Sequence, residues 1–123
     1  MTQKNIVIYS TNSEAATLVK EVVRTLGCTV TCCHTEEQTI DAVESTRPAI
    51  VILLSISPLI NGSQLIPRLR PNRTSSPAIF VIAWQQAEQT ILSILEGGID
   101  QYMTFPISIH RLYNKTQAIL KQL

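Results

Sequence analysis

The sequence predicts one α/β domain built on a doubly wound sheet of parallel strands, and three observations carry that expectation. Short, apolar, β-rich runs alternate with segments of helical spacing along the whole chain. The central run, Ala49 to Leu54 (AIVILL), shows no polar alternation, which is how a strand covered on both faces by helices reads. At 123 residues, the chain is long enough to bury one core without disulfide or metal staples, and residues 1 to 123 are taken as a single domain.

The first strand is expected over Asn5 to Tyr9 (NIVIY). Thr11 with Glu14 three residues on has the form of a capping box, and Ala15, Leu18, Val19, Val22, Val23 and Leu26 then recur at helical spacing until Gly27. Thr29 to Cys33 is a second strand. Thr35 and Gln38 open a second helix that carries Ile40, Ala42 and Val43 inward and stops before Pro48. The third strand is Ala49 to Leu54. A short third helix, Ser63 to Arg70, is interrupted by Pro67. Ala78 to Ala83 (AIFVIA) is a fourth strand, Ala87 to Glu96 a helix closed by Gly97-Gly98, and Gln101 to Phe105 a fifth strand. Past Pro106, Ser108 caps a last helix whose apolar face is Ile109, Leu112, Tyr113, Thr116, Ile119 and Leu123.

Composition excludes several function classes. Hydrophobic residues make up 45% and charged residues 15%, a globular balance. Ten basic residues against nine acidic give a net charge of +1, so no strong field recruits nucleic acid or an anionic membrane. Arg68, Arg70 and Arg73 read as the solvated end of a helix and its loop. No apolar stretch approaches the roughly 18 residues of a membrane span, and MTQKNIV lacks the apolar core of a signal peptide, so the expected location is the cytoplasm. The cysteines lie in GCTVTCCH. On a strand Cys32 and Cys33 point to opposite faces, and Cys28 and Cys32 stand about 13 Å apart, beyond the roughly 7 Å reach of a disulfide. Small apolar strand residues are expected there, with no metal.

In doubly wound sheets, ligands bind beyond the carboxyl ends of the strands. Those ends carry Ser10-Thr11, Leu54 to Ser57, Ile82 to Trp84 and Phe105-Pro106. RPAIVILLSISPLING, with Pro58 and Asn61-Gly62, and GGIDQYMTFP, with Gly98, Tyr102 and Pro106, are the most distinctive stretches. Through them residues 4 to 123 resemble the response-regulator receiver domain of two-component signalling. The first stretch resembles the phospho-accepting strand with its P-x-x-D-G loop, and the second the family's G-A-x-x-Y-x-x-K-P. The resemblance implies a CheY-like, flavodoxin-like sheet of order 2-1-3-4-5 with five flanking helices. It also implies a cis Phe105-Pro106 bond.

The same alignment places Ser10 and Thr11 at the family's Mg²⁺-binding acids, Leu54 at its phospho-acceptor Asp, Ile82 at its Thr or Ser, and Phe105 at its Lys. All five positions depart from the pattern. Phosphoryl transfer needs an oxygen nucleophile, a cation and preorganised donors; Leu54 supplies no nucleophile, and without carboxylates at these positions no Mg²⁺ site remains. Leu54, Ile82 and Phe105 are instead expected to form an apolar plug, as in a degenerate pseudo-receiver. The expected function is non-enzymatic, phosphorylation-independent binding of a protein partner in a signalling pathway, without cofactor or metal. In active relatives docking and dimerisation use the fourth helix, fifth strand and fifth helix, which here points to Gln89, Gln101, Tyr102, Met103, Arg111 and Lys115 and to a protein partner or a homodimer. Two alternatives stand beside it. IYSTNSEA is similar to the phosphate cradle of flavodoxins, which would make the chain an FMN-binding electron carrier with Trp84 as its stacking aromatic. A receiver-like sensor of a small apolar ligand would hold it between Thr11, Leu54, Trp84 and Phe105.

Overall fold

The computed structural model describes residues 4–55, 68–69, 77–83 and 98–121. They form strands β1 (Asn5–Ser10), β2 (Thr29–Cys33), β3 (Ile50–Ser55), β4 (Ala78–Ala83) and β5 (Gln101–Thr104) and helices α1 (Ser13–Arg24), α2 (Glu36–Thr46) and α3 (Ile109–Lys121). The strands make one sheet of order β2-β1-β3-β4-β5, all parallel. Of the expected third helix only Arg68 and Leu69 are described, both helical, and the expected fourth lies outside the described residues.

Parallel pairing explains the unbroken apolar runs. Along β3, Ile50, Ile52 and Leu54 enter one core layer with Ile6, Ile8, Phe80 and Ile82, covered by Val19 and Val23 of α1 and Leu112 and Leu120 of α3. Val51 and Leu53 point the other way, joining Val7, Ile79 and Val81 beneath Ile40 and Val43 of α2. With both faces buried from Ile50 to Leu54, none of these five positions tolerates a polar residue cheaply. α1 and α3 therefore share one side of the sheet, and α2 lies on the other.

Local chemistry sets the helix ends, and the first cap differs from expectation. Asn12, not Thr11, is the N-cap of α1: it is extended (φ −114, ψ 114) and its side chain accepts from the Ala15 N–H, at 2.9 Å. β1 runs one residue longer than expected, to Ser10, so the turn and the cap shift along by one. Glu14 still favours the positive helix end from the first turn. α2 begins as expected: Thr35 accepts from Gln38 N–H at 3.1 Å, and the Gln38 side chain reaches back to the His34 N–H at 3.0 Å. Gly27 adopts φ +81 after α1 with nothing within 4 Å of where a Cβ would sit, so its demand is conformational, not steric. Ser108 caps α3 by accepting from Arg111 N–H at 3.2 Å.

Two apolar residues assigned to buried faces lie outside them. Leu18 is 41% and Ile109 53% exposed. The buried positions of α1 are Ala16, Val19, Val22 and Val23, and at about 100° per residue Leu18 falls on the flank of that stripe. In α3 the seam is Leu112, Thr116 and Leu120. Its four-residue step leads back to the cap Ser108, and Ile109 sits one position round. The Lys4 ammonium donates to the Leu120 carbonyl, joining the start of β1 to the end of α3. The Phe105–Pro106 bond is cis.

Candidate functional site

The carboxyl ends of the strands bring one row of residues together. Ser10 pairs with Leu54, Leu54 with Ile82, and Ile82 with Met103, so the four stand side by side across β1, β3, β4 and β5 at about 4.8 Å per strand. Leu54 (4% exposed), Ile82 (0%) and Met103 (5%) belong to the core layer under α1 and α3, and Phe105 packs against it half-buried. The row is thus apolar from β3 to β5. Met103, assigned to an interaction surface by the sequence, is corrected here: alternation along β5 turns its side chain inward, next to Ile82.

Ser10 is the polar end of the row. It is 1% exposed, and its hydroxyl is consumed locally: Oγ donates to the Asn12 carbonyl at 2.8 Å and accepts from the Asn12 N–H at 2.9 Å. Thr11 projects outward, exposed. His34, just past β2, donates Nδ1–H to the Ser10 carbonyl at 3.2 Å; a carbonyl only accepts, so the proton is on Nδ1. Neither His34 nor Asn12 was singled out at this edge from the sequence. The Asn12 signal was present, since Asn is as good an N-cap as Ser or Thr. The His34 contact joins β2 to β1 across 24 positions and has no local signature.

The fold family's Mg²⁺ does not fit this donor set. Mg²⁺ is held through carboxylates and dehydrates reluctantly, whereas Ser10 is engaged with Asn12, the Leu54 side chain has no oxygen, and Thr11 brings a single neutral hydroxyl. Among the described residues no group of three or more His, Cys, Asp or Glu side chains is placed to hold a metal. Cys33 is buried in the α2-side layer, while Cys32 packs on the opposite face. Burial pushes the Cys33 and Cys28 thiols up, away from the thiolate a metal or an electrophile requires. All three cysteines are free. As for a phosphate cradle at the start of α1, the Ala15 N–H is already taken by Asn12.

Of the other sequence-assigned positions, Gln101 and Tyr102 are half-buried, Arg111 is exposed and Lys115 half-buried on α3; Gln89 and Trp84 lie outside the described residues. Tyr102 packs against the α2-side layer. Its buried hydroxyl finds no partner among the described residues, and burial raises its pKa.

No family model matches the chain. Curated relatives share its sequence at low identity. It is 27% identical over 107 residues to the probable transcriptional regulatory protein TcrX of Mycobacterium tuberculosis, covering 87% of this chain and 45% of that protein. It is 24% identical over 119 residues to the alkaline phosphatase synthesis transcriptional regulatory protein PhoP of Bacillus subtilis, covering 97% and 49%. The chain spans about half the length of these curated relatives. Among solved structures, the signal receiver domain of a LuxO repressor protein from Vibrio parahaemolyticus superposes with a TM-score of 0.84 at 16% identity, covering 98% of this chain and 92% of that one. The fold is that of a CheY-like response-regulator receiver domain. In sequence the chain is similar, at low identity, to the regulatory proteins TcrX and PhoP. No helix among the described residues is long and apolar enough to cross a membrane.

Proposed function

We propose that the chain is a pseudo-receiver: a receiver-type module, not an enzyme, that binds a protein partner in a cytoplasmic two-component pathway without being phosphorylated. The observation that carries this reading is the buried row Leu54, Ile82 and Met103 at the carboxyl edge of the sheet, 4%, 0% and 5% exposed. A phospho-acceptor has to present an oxygen to solvent, and a phosphoryl group there would need cationic or hydrogen-bonding donors. This edge instead places hydrocarbon where both would stand.

The substitutions are mutually consistent. Keeping a lysine at position 105 without the carboxylates would leave an unpaired buried cation, at a cost of several kcal/mol; Phe105 removes that charge together with its partners. The relatives' names, which describe transcriptional regulatory proteins, support a signalling role, and Gln101, Arg111 and Lys115 remain available on the β5 and α3 side for a protein partner.

The test is intact-mass analysis after incubation with acetyl phosphate and Mg²⁺, beside a receiver that has the full acidic set. The control acquires a phosphoryl adduct and this chain is expected to stay at its unmodified mass. An adduct that maps to Ser10, Thr11 or Ser55 would overturn the reading.

A further inference from the structure

The chain is nearly neutral, with ten Lys and Arg against nine Asp and Glu, yet two of its helices each carry charge of one sign. α2 contains Glu36, Glu37, Asp41 and Glu44 and no Lys or Arg, and all four carboxylates are exposed. Glu37, Asp41 and Glu44 follow the i, i+4, i+7 spacing that lines one face of a helix, turned away from the buried Thr39, Ile40 and Val43. α3 contains Arg111, Lys115 and Lys121 and no Asp or Glu. Arg111 and Lys121 are exposed and Lys115 half-buried, around the small exposed Ala118.

These charges are little used within one copy. Glu37 meets Arg68 at 3.4 Å, with both side chains more than half exposed, a pairing worth little. Asp41, Glu44, Arg111 and Lys115 have no ion-pair partner among the described residues. Because α2 covers one face of the sheet and α3 the other, the acidic and basic helices cannot neutralise each other in the same molecule.

We propose that the acidic face of α2 on one copy docks on the basic face of α3 on a second copy of this chain. The charge complementarity is complete in sign, and both halves are present at equal concentration on every molecule, so a second copy is the partner that matches both faces at once. The inference rests on the reading of the domain as a phosphate-independent binding module and names its partner. Since the two patches differ, the contact is heterologous: a docked pair keeps one free acidic face and one free basic face, and assembly extends beyond a dimer unless the rotation closes a ring. Such an interface is steered by charge and weakened by salt, whose screening length falls to about 8 Å at physiological ionic strength.

Sedimentation velocity over a concentration series tests this, at low and high salt and with and without Mg²⁺ plus beryllofluoride. Two variants accompany the 123-residue chain: Asp41→Lys with Glu44→Lys, and Arg111→Glu with Lys115→Glu, each checked by thermal melting to confirm that it folds. The unmodified chain is expected to associate at low salt, to dissociate at high salt, and to ignore beryllofluoride. Each variant alone carries like charge on both faces and should associate about tenfold more weakly or worse. Their equimolar mixture restores both complementary contacts and should associate again. A chain that is monomeric at low salt both with and without beryllofluoride, variants that associate as the parent does, or a mixture no stronger than its components would each overturn the docking. Association that appears only with beryllofluoride and is abolished by the same variants would leave the docking faces standing and overturn the phosphate-independent reading.

Discussion

Leu54→Asp is expected to destabilise the domain by about 3 kcal/mol or more and to leave it unable to accept a phosphoryl group. The cost has two parts. Burial of the leucine side chain is worth about 1.5–3 kcal/mol, and the new carboxylate stands where the native side chain is 4% exposed, beside Ile82. Among the described residues the row offers no cation: its other positions are Ser10, Ile82 and Met103. Desolvation without a partner raises the carboxyl's folded-state pKa above its unfolded value. The charge-related part of the loss is therefore fully present above the folded pKa and fades as pH falls through it toward the unfolded value. Urea unfolding at neutral and at mildly acidic pH reads both parts. On the pseudo-receiver reading acetyl phosphate with Mg²⁺ should leave the variant unlabelled, because Ser10, Thr11 and Phe105 bring neither a carboxylate nor an ammonium. Robust labelling of this single substitution, or unchanged stability, would contradict the plug.

Phe80→Ala is expected to cost about 3–5 kcal/mol. Among the described residues Phe80 is the largest fully buried side chain, at 0% exposure, and lies in the middle of β4, registered between Ile52 of β3 and Gln101 of β5. Its ring fills the layer shared by α1, α3 and the sheet, and the close-packed strands around it have little freedom to collapse into the void. Against a typical total stability of about 5–15 kcal/mol, that is a large fraction. Phe80→Leu keeps most of the volume and should cost about 1.5 kcal/mol or less. Denaturant midpoints of the two variants give the comparison; a small loss for the alanine variant would mean that the layer is looser than its burial implies.

The strands were the most legible part of this molecule. β2 and β4 coincide with the runs Thr29 to Cys33 and Ala78 to Ala83, because each is a compact β-rich run. The strand order and the cis Phe105–Pro106 bond agree with what the family resemblance implied. Helix starts were less secure: Thr11 and Asn12 are both good caps, and the choice between them turned on where β1 ended, which Ser10 decides through its two bonds to the Asn12 peptide. Leu18 and Ile109 fit an apolar period but lie outside it by one helical step, a difference that residue type cannot reveal.

The site was legible in its residues and less so in its neighbours. Leu54 and Ile82 are row partners, with Ser10 at the end of the row and Phe105 packed against the same layer. Met103 joined them only when the parallel register set β5 against β4. A strand's alternation tells which residues share a face, while register between strands depends on the connections. The opposed charge of α2 and α3 could be read from the sequence residue by residue. That they cover opposite faces of one sheet required the fold.

An amide NMR spectrum of the isotopically labelled domain, recorded with and without Mg²⁺ plus beryllofluoride, tests the phosphate-blind reading most directly. A spectrum unchanged by the phosphoryl mimic is the expected result. Shifts at Ser10, Thr11 and the residues around Leu54 would contradict it, by showing that the carboxyl edge of the sheet still recognises a phosphoryl group.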